Sequence, residues 1–196
     1  MRLRARPRPG RWTWWLMAVF LAGCETLPPT GPVPERPARD SIRAYALQAR
    51  FSIKAGNEGQ SGRMAWSHRP EGDKVLFLSP LGQGVATLES DAGGARLETS
   101  DGRNMAAAGP DELVEQVLGR SLPLRRVPRW VLGLPGTTAS LSLDPLGRAL
   151  EIREEGWRVE YVSYESDRPQ ALPQLLRISR DDLEMKLRID GWSLSP

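Results

Sequence analysis

Leu183-Glu184-Met185-Lys186-Leu187-Arg188-Ile189-Asp190 sets four apolar side chains against four charged ones with an unbroken period of two. Side chains of a strand point alternately to its two faces, so this stretch predicts a strand with one face in a core and the other in water. The pattern recurs along the chain. Trp157, Val159 and Tyr161 alternate with Arg158 and Glu160, residues 149–154 alternate before them, and residues 175–179 supply a strand before the last one. Nearer the N-terminus, Leu47, Ala49, Phe51 and Ile53 oppose Gln48, Arg50, Ser52 and Lys54, while Met64 and Trp66 oppose Arg63 and Ser67. Residues 56–62 read as the turn between these two antiparallel strands.

Val75-Leu76-Phe77-Leu78 is apolar on both faces, which predicts cover on the outside of the sheet as well. Ser79-Pro80-Leu81-Gly82 turns the chain into a strand at 84–89, and a strand at 95–99 precedes an Asp101-Gly102 hairpin turn. Helical spacing is confined to a few places. Ser41 is placed to cap a short helix containing Ile42 and Tyr45. Pro110-Asp111-Glu112 opens a second, with Leu113, Val114, Val117 and Leu118 on one side and Gly119 ending it. A third spans residues 127–132, with Trp130 and Leu134 apolar, and is stopped by Gly133-Pro135-Gly136. About ten or eleven strands and two or three short helices predict a mainly β protein: a strongly curved antiparallel sheet or unclosed barrel, with a helical lid built on Leu113, Val117, Trp130 and Leu132.

Ahead of this domain, Arg2, Arg4, Arg6, Arg8 and Arg11 precede an apolar run over residues 12–22, which stops at Leu21-Ala22-Gly23-Cys24. That run is short of the roughly 20 residues a membrane span needs, so residues 1–23 read as a lipoprotein signal peptide, cut before Cys24 and followed by lipid on that thiol. Cleavage leaves 22 basic against 24 acidic residues, a formal charge of −2, and no basic patch for nucleic acid. Cys24 is the only cysteine, so no disulfide is expected and stability must come from a core. Residues 24–40 hold Pro28, Pro29, Pro32, Pro34 and Pro37 and read as an extended tether; the domain is placed at 41–196.

Catalytic chemistry is hard to assemble from what remains. His68 is the single histidine, read as a solvated turn residue near a strand end with no second imidazole or thiol to complete a metal shell. Gly59-Gln60-Ser61-Gly62 lies in the expected hairpin turn and lacks the spacing of a nucleophile elbow. Glu151, Glu154 and Glu160 read as outward-facing, and no phosphate-cradling glycine motif is present. Neither an enzyme, a metal nor a cofactor is expected. Trp66, Trp130, Trp157 and Trp192 are an unusual load of indole for the folded part. They either fill a core or border an apolar cavity on the concave side of the sheet.

The segments Phe51-Ser52-Ile53, Met64-Ala65-Trp66, Ser79-Pro80-Leu81-Gly82, Arg129-Trp130-Val131-Leu132-Gly133-Leu134-Pro135-Gly136, Trp157-Arg158-Val159-Glu160-Tyr161 and the closing residues 187–192, with the Leu21 to Cys24 cleavage motif, together resemble the LolB family of outer-membrane lipoproteins. The resemblance covers essentially the whole chain. It implies an unclosed antiparallel barrel whose lidded cavity takes the acyl chains of client lipoproteins from the periplasmic carrier LolA and passes them to the inner leaflet of the outer membrane, without nucleotide. It also implies a monomer anchored by lipid on the outer membrane and facing the periplasm. Under it, Phe51, Ile53, Met64, Trp66, Phe77, Ile152, Val159, Tyr161 and Leu187 are expected on the cavity wall, since they hold the apolar phase of their strands. Leu81, between Pro80 and Gly82, is expected to be the exposed side chain that promotes membrane insertion. Glu25 stands at the sorting position after the cysteine, where neutral residues are common. Two readings from other classes compete: a scaffold subunit of an outer-membrane assembly complex, which predicts a filled core, and a lipid-active hydrolase, which would need a base for its serine.

Overall fold

The structure, a computed structural model, describes residues 35–194. The signal peptide, Cys24, Glu25 and most of the tether lie outside the described residues. Eleven strands form one sheet: β1 (Tyr45–Ala55), β2 (Glu58–Arg69), β3 (Gly72–Leu78), β4 (Gly84–Asp91), β5 (Gly94–Thr99), β6 (Asn104–Ala107), β7 (Ser140–Leu143), β8 (Ala149–Glu154), β9 (Trp157–Tyr164), β10 (Pro173–Arg180) and β11 (Leu183–Ser193). Two helices, α1 (Pro110–Leu118) and α2 (Val127–Trp130), lie between β6 and β7.

The strand order is β6-β5-β4-β3-β2-β1-β11-β10-β9-β8-β7, antiparallel throughout. Every neighbouring pair is a hairpin except β1 with β11, which joins the first strand to the last and welds two meanders into one sheet. β6 and β7 are left as free edges, so the barrel is unclosed, and the chain between them carries both helices across its inside. The β1–β11 register slips between Gln48 and Ala49, a bulge that adds twist at the seam.

The stretch from Leu183 behaves as its alternation predicts: Leu183, Met185, Leu187 and Ile189 are buried, while Arg188 and Asp190 are exposed. Other segments depart from the reading. Tyr45 is the first residue of β1 and not part of a helix; the only helical turn there is 3-10, over Arg39–Ser41, and the Ser41 hydroxyl donates to the Ala38 carbonyl. Burial decides this, because an extended chain puts Tyr45, Leu47 and Ala49 all inward. The turn after β1 needs only Gly56, at φ +58°, and Asn57, so Gly59-Gln60-Ser61-Gly62 is strand. The outer face of β3 leaves Leu76 exposed, because the helices cover only the inside. Ordered contacts also begin before residue 41: Arg36 makes a bidentate pair with Glu165 at 2.8 Å, and Arg39 donates to the carbonyls of Pro169 and Ala171.

Candidate functional site

The two helices treat the two halves of the sheet differently. Over β8 to β10 the α2 segment is packed solid: Trp130, Val131, Ile152, Val159, Leu176 and Ile178 are fully buried. The Tyr161 hydroxyl donates to the Trp130 carbonyl at 2.7 Å, and the Tyr45 hydroxyl to Pro128 at 3.1 Å. Burial pushes the Tyr45 phenol well up, as does nearby Asp73, so both tyrosines stay neutral donors. Glu154 holds the same segment. Only 3% exposed, it accepts from Trp130 Nε1 at 2.8 Å and from the Gly136 amide at 3.2 Å, and pairs with Arg126. It is therefore not outward-facing. It shares the phase of Ile152, two residues earlier, and that phase is buried.

Over β1 to β5 the helix stands clear of the sheet and leaves a cavity of about 280 Å³. Phe51, Ile53, Met64, Trp66, Phe77 and Leu187 line it, joined by Val75, Leu88, Leu97 and Met185 from neighbouring strands. Its roof is Leu113, Val114, Val117 and Leu118 of α1, continued by Leu122, Leu124 and Val127. Among the described residues, Gln60, Asp73 and Ser90 are the only polar side chains on it besides the Trp66 indole N–H. That N–H is already used, donating to Asp73 Oδ1 at 2.7 Å. The same oxygen lies 2.7 Å from His68 Nδ1, so His68 is a hydrogen-bonded strand residue stacked near Tyr45, not a solvated turn residue. Such a wall offers a ligand apolar contact and very little else.

Of the residues expected on this wall, Ile152, Val159 and Tyr161 lie elsewhere, in the solid half. Trp130 and Leu132 are likewise part of that plug, whereas Leu113 and Val117 sit over the cavity. Trp157 is core, against Trp130. Gly62 has a specific job: a Cβ there would come within 2.8 Å of the Leu78 carbonyl and 3.1 Å of the Phe51 ring. The missing side chain lets Phe51 lie across β2 to meet Phe77 edge-on, with ring centroids 5.8 Å apart.

α1 starts at Pro110 with Asp111 and Glu112 in its first turn and ends at Gly119, whose φ of +66° suits a residue without Cβ. Its ends are strapped from outside. Asp111 accepts from the Arg125 amide, Glu112 meets the Arg125 guanidinium, and just past the helix Arg120 reaches Asp182 at 2.9 Å. Exposed pairs of this kind contribute at most about 1 kcal/mol each, so the roof is held mainly by the apolar contacts beneath it.

Leu81 is 90% exposed, at the tip of the β3–β4 turn. The Gly82 amide donates to the Ser79 carbonyl and the Ser79 amide to Gln83, both at 2.8 Å, with Gly82 at φ +87° and Pro80 fixing the backbone before Leu81. A short, hydrogen-bonded turn thus holds one apolar side chain in water. Among the described residues no cluster of His, Cys, Asp and Glu suits a metal ion, and no helix is long and apolar enough to cross a membrane.

Residues 43–192 match the family model described as outer membrane lipoprotein LolB. The chain is 40% identical over 192 residues to the outer-membrane lipoprotein LolB of Dechloromonas aromatica, covering 95% of this chain and 98% of that one. It is 38% identical over 177 residues to LolB of Azoarcus sp., covering 90% and 91%. Among solved structures, a domain assigned to outer membrane lipoprotein sorting from Vibrio parahaemolyticus superposes with a TM-score of 0.52 at 10% identity, over 80% of this chain and 88% of that one. At that identity the likeness speaks for the fold alone. The chain belongs to the LolB family of outer membrane lipoproteins.

Proposed function

We propose that this protein is a receptor that takes lipoproteins from the periplasmic carrier LolA, holds their acyl chains in the cavity under α1, and releases them into the outer membrane. Lipid on Cys24 fixes it to that membrane, facing the periplasm, and Leu81 eases the client into the leaflet. The observation that carries the reading is the cavity: apolar on nearly every side, roofed by one amphipathic helix, with Gln60 and Ser90 its few polar side chains beside an Asp73 and a Trp66 N–H already paired with each other.

Burying a methylene is worth about 0.8 kcal/mol, so a client's acyl chains are held from water by tens of kcal/mol in all and need a continuous apolar path. At about 280 Å³ the cavity falls just under the range of roughly 300–1,000 Å³ usual for ligand pockets, and a client with several chains requires α1 to lift. The weak straps at its ends permit that. No nucleotide enters: each site along the route binds the chains better than the one before.

The test mixes the mature chain carrying Cys24→Ala with LolA loaded with a labelled lipoprotein. The label is expected to move to this protein without ATP; retention on the carrier would overturn the receptor reading.

A further inference from the structure

The antiparallel order assigns each turn to one end of the sheet. The β1–β2 and β3–β4 turns lie at one end, the latter with Leu81; the β7–β8 and β9–β10 turns lie at the other. At this second end the first described residues are fastened, Arg36 to Glu165 and Arg39 to Pro169 and Ala171, all in the β9–β10 loop. Beside that loop is an apolar cluster the cavity does not use. Leu143, Leu146, Leu150 and Val162 are between 39% and 55% exposed. Leu143, on the free-edge strand β7, pairs with Ala149 across a register slip, and Leu150 and Val162 border one groove of about 330 Å³. Arg148, from the same turn as Leu146, donates to the Ser166 carbonyl at 2.8 Å and ties the cluster to the fastened loop.

We infer that this cluster is a second lipid contact, a resting site that lies on the leaflet holding the anchor. The inference rests on lipidation of Cys24. Residues 24–34, fully extended, reach no more than about 40 Å, so the fastened end of the domain stays within that distance of the bilayer, and Leu81 is at the opposite end of the sheet. Exposed apolar side chains gathered at one end of a sheet and held beside a lipid surface partition into its headgroup boundary. The Arg148–Asp144 pair and exposed Asp167 and Arg168 around it limit the depth to that boundary. Rest and delivery then use opposite ends, and the domain must swing on its tether to present Leu81.

Because Cys24 is the only natural cysteine and is acylated in the mature protein, a thiol introduced by Leu146→Cys can be labelled alone with an environment-sensitive fluorophore. The full acylated chain is placed in phosphatidylethanolamine and phosphatidylglycerol vesicles carrying lipid-borne quenchers, with Glu71→Cys, exposed across the same end, as the aqueous reference. Without any client, the label at 146 is expected to be quenched severalfold more than that at 71, and adding Leu150→Glu and Val162→Glu is expected to abolish the difference. Equal quenching in protein that floats with the vesicles would overturn the resting site while leaving the anchor intact. Failure to float would overturn the anchor and this inference with it. A label shielded only in dimers, seen by sedimentation, would assign the patch to a second copy and equally overturn the lipid contact.

Discussion

Trp130 and Glu154 are joined inside the core, the indole Nε1 donating to the carboxylate Oε2 at 2.8 Å. Two further groups of the α2 region, the Gly136 amide and the Arg126 guanidinium, converge on the same carboxylate. One buried acid therefore fastens residues 126–136 onto β8, and that fastening fills one half of the barrel and leaves the other half to α1.

Glu154→Ala removes the acceptor for two N–H groups and leaves Arg126 without its buried partner. Arg126, a third exposed, keeps its second partner Glu155, so the cost comes mainly from the unpaired Trp130 and Gly136 N–H groups, about 1–3 kcal/mol for a buried donor left unsatisfied, and urea unfolding is expected to show a loss of that order. Glu154→Gln keeps a carbonyl for Trp130 and is expected to lose less. Gly136→Ala belongs with the severe class, because its Cβ would fall 2.0 Å from Glu154 Oε1. A stability change within about 0.5 kcal/mol for Glu154→Ala would mean the segment is held by packing alone.

Gly62→Ala tests how the cavity wall is made. Its methyl meets the Phe51 ring and the Leu78 carbonyl, and the ring, being the softer neighbour, is pushed towards Phe77 and the cavity. Overpacking of this kind costs about 1–3 kcal/mol. The sharper readout is binding of a fluorescent fatty acid, expected to weaken severalfold; unchanged binding would place the probe outside the β1–β3 wall.

The sheet was legible because most strands bury one face. Leu183 to Ile189 and Leu47 to Ala49 declare their inward side at every second residue, and eleven strands were within the expected range. What escaped was short or local. β6 and β7 have four residues each and pair on one side only, too little for a period to show. Glu154 carries a charge on the buried phase of β8, so charge and phase point to opposite faces, and its burial follows phase. Cavity wall and solid core share the same phase too: Val159 and Phe51 look alike in sequence, and only the position of α2 over one and α1 over the other separates them. Leu81 needed no phase, since a leucine between Pro80 and Gly82 in a tight turn has nowhere inward to go.

Removing a strap from the roof is expected to separate lid motion from global stability. Arg120→Ala deletes an exposed pair with Asp182, so the unfolding midpoint should move little, by less than about 1 kcal/mol. Local opening of α1 should rise, read as faster amide exchange at residues 113–118 with exchange in β9 to β11 unaltered. Equal acceleration in both regions would show that lid and barrel open as one unit.

Leu81→Glu addresses delivery. The side chain is 90% exposed and its turn is held by backbone hydrogen bonds, so the change should leave folding and the cavity intact. Uptake of labelled lipoprotein from LolA is therefore expected at the normal level. A carboxylate at the turn tip cannot enter the hydrocarbon boundary as leucine does, because an ionised group there carries a desolvation cost of a few kcal/mol. Transfer of the held client into vesicles should fall at least tenfold, with the client accumulating on the receptor. Leu81→Phe, apolar and similarly exposed, should restore delivery. Normal transfer by Leu81→Glu would remove the turn from the release step and leave lid opening over the β1–β5 cavity as its sole requirement.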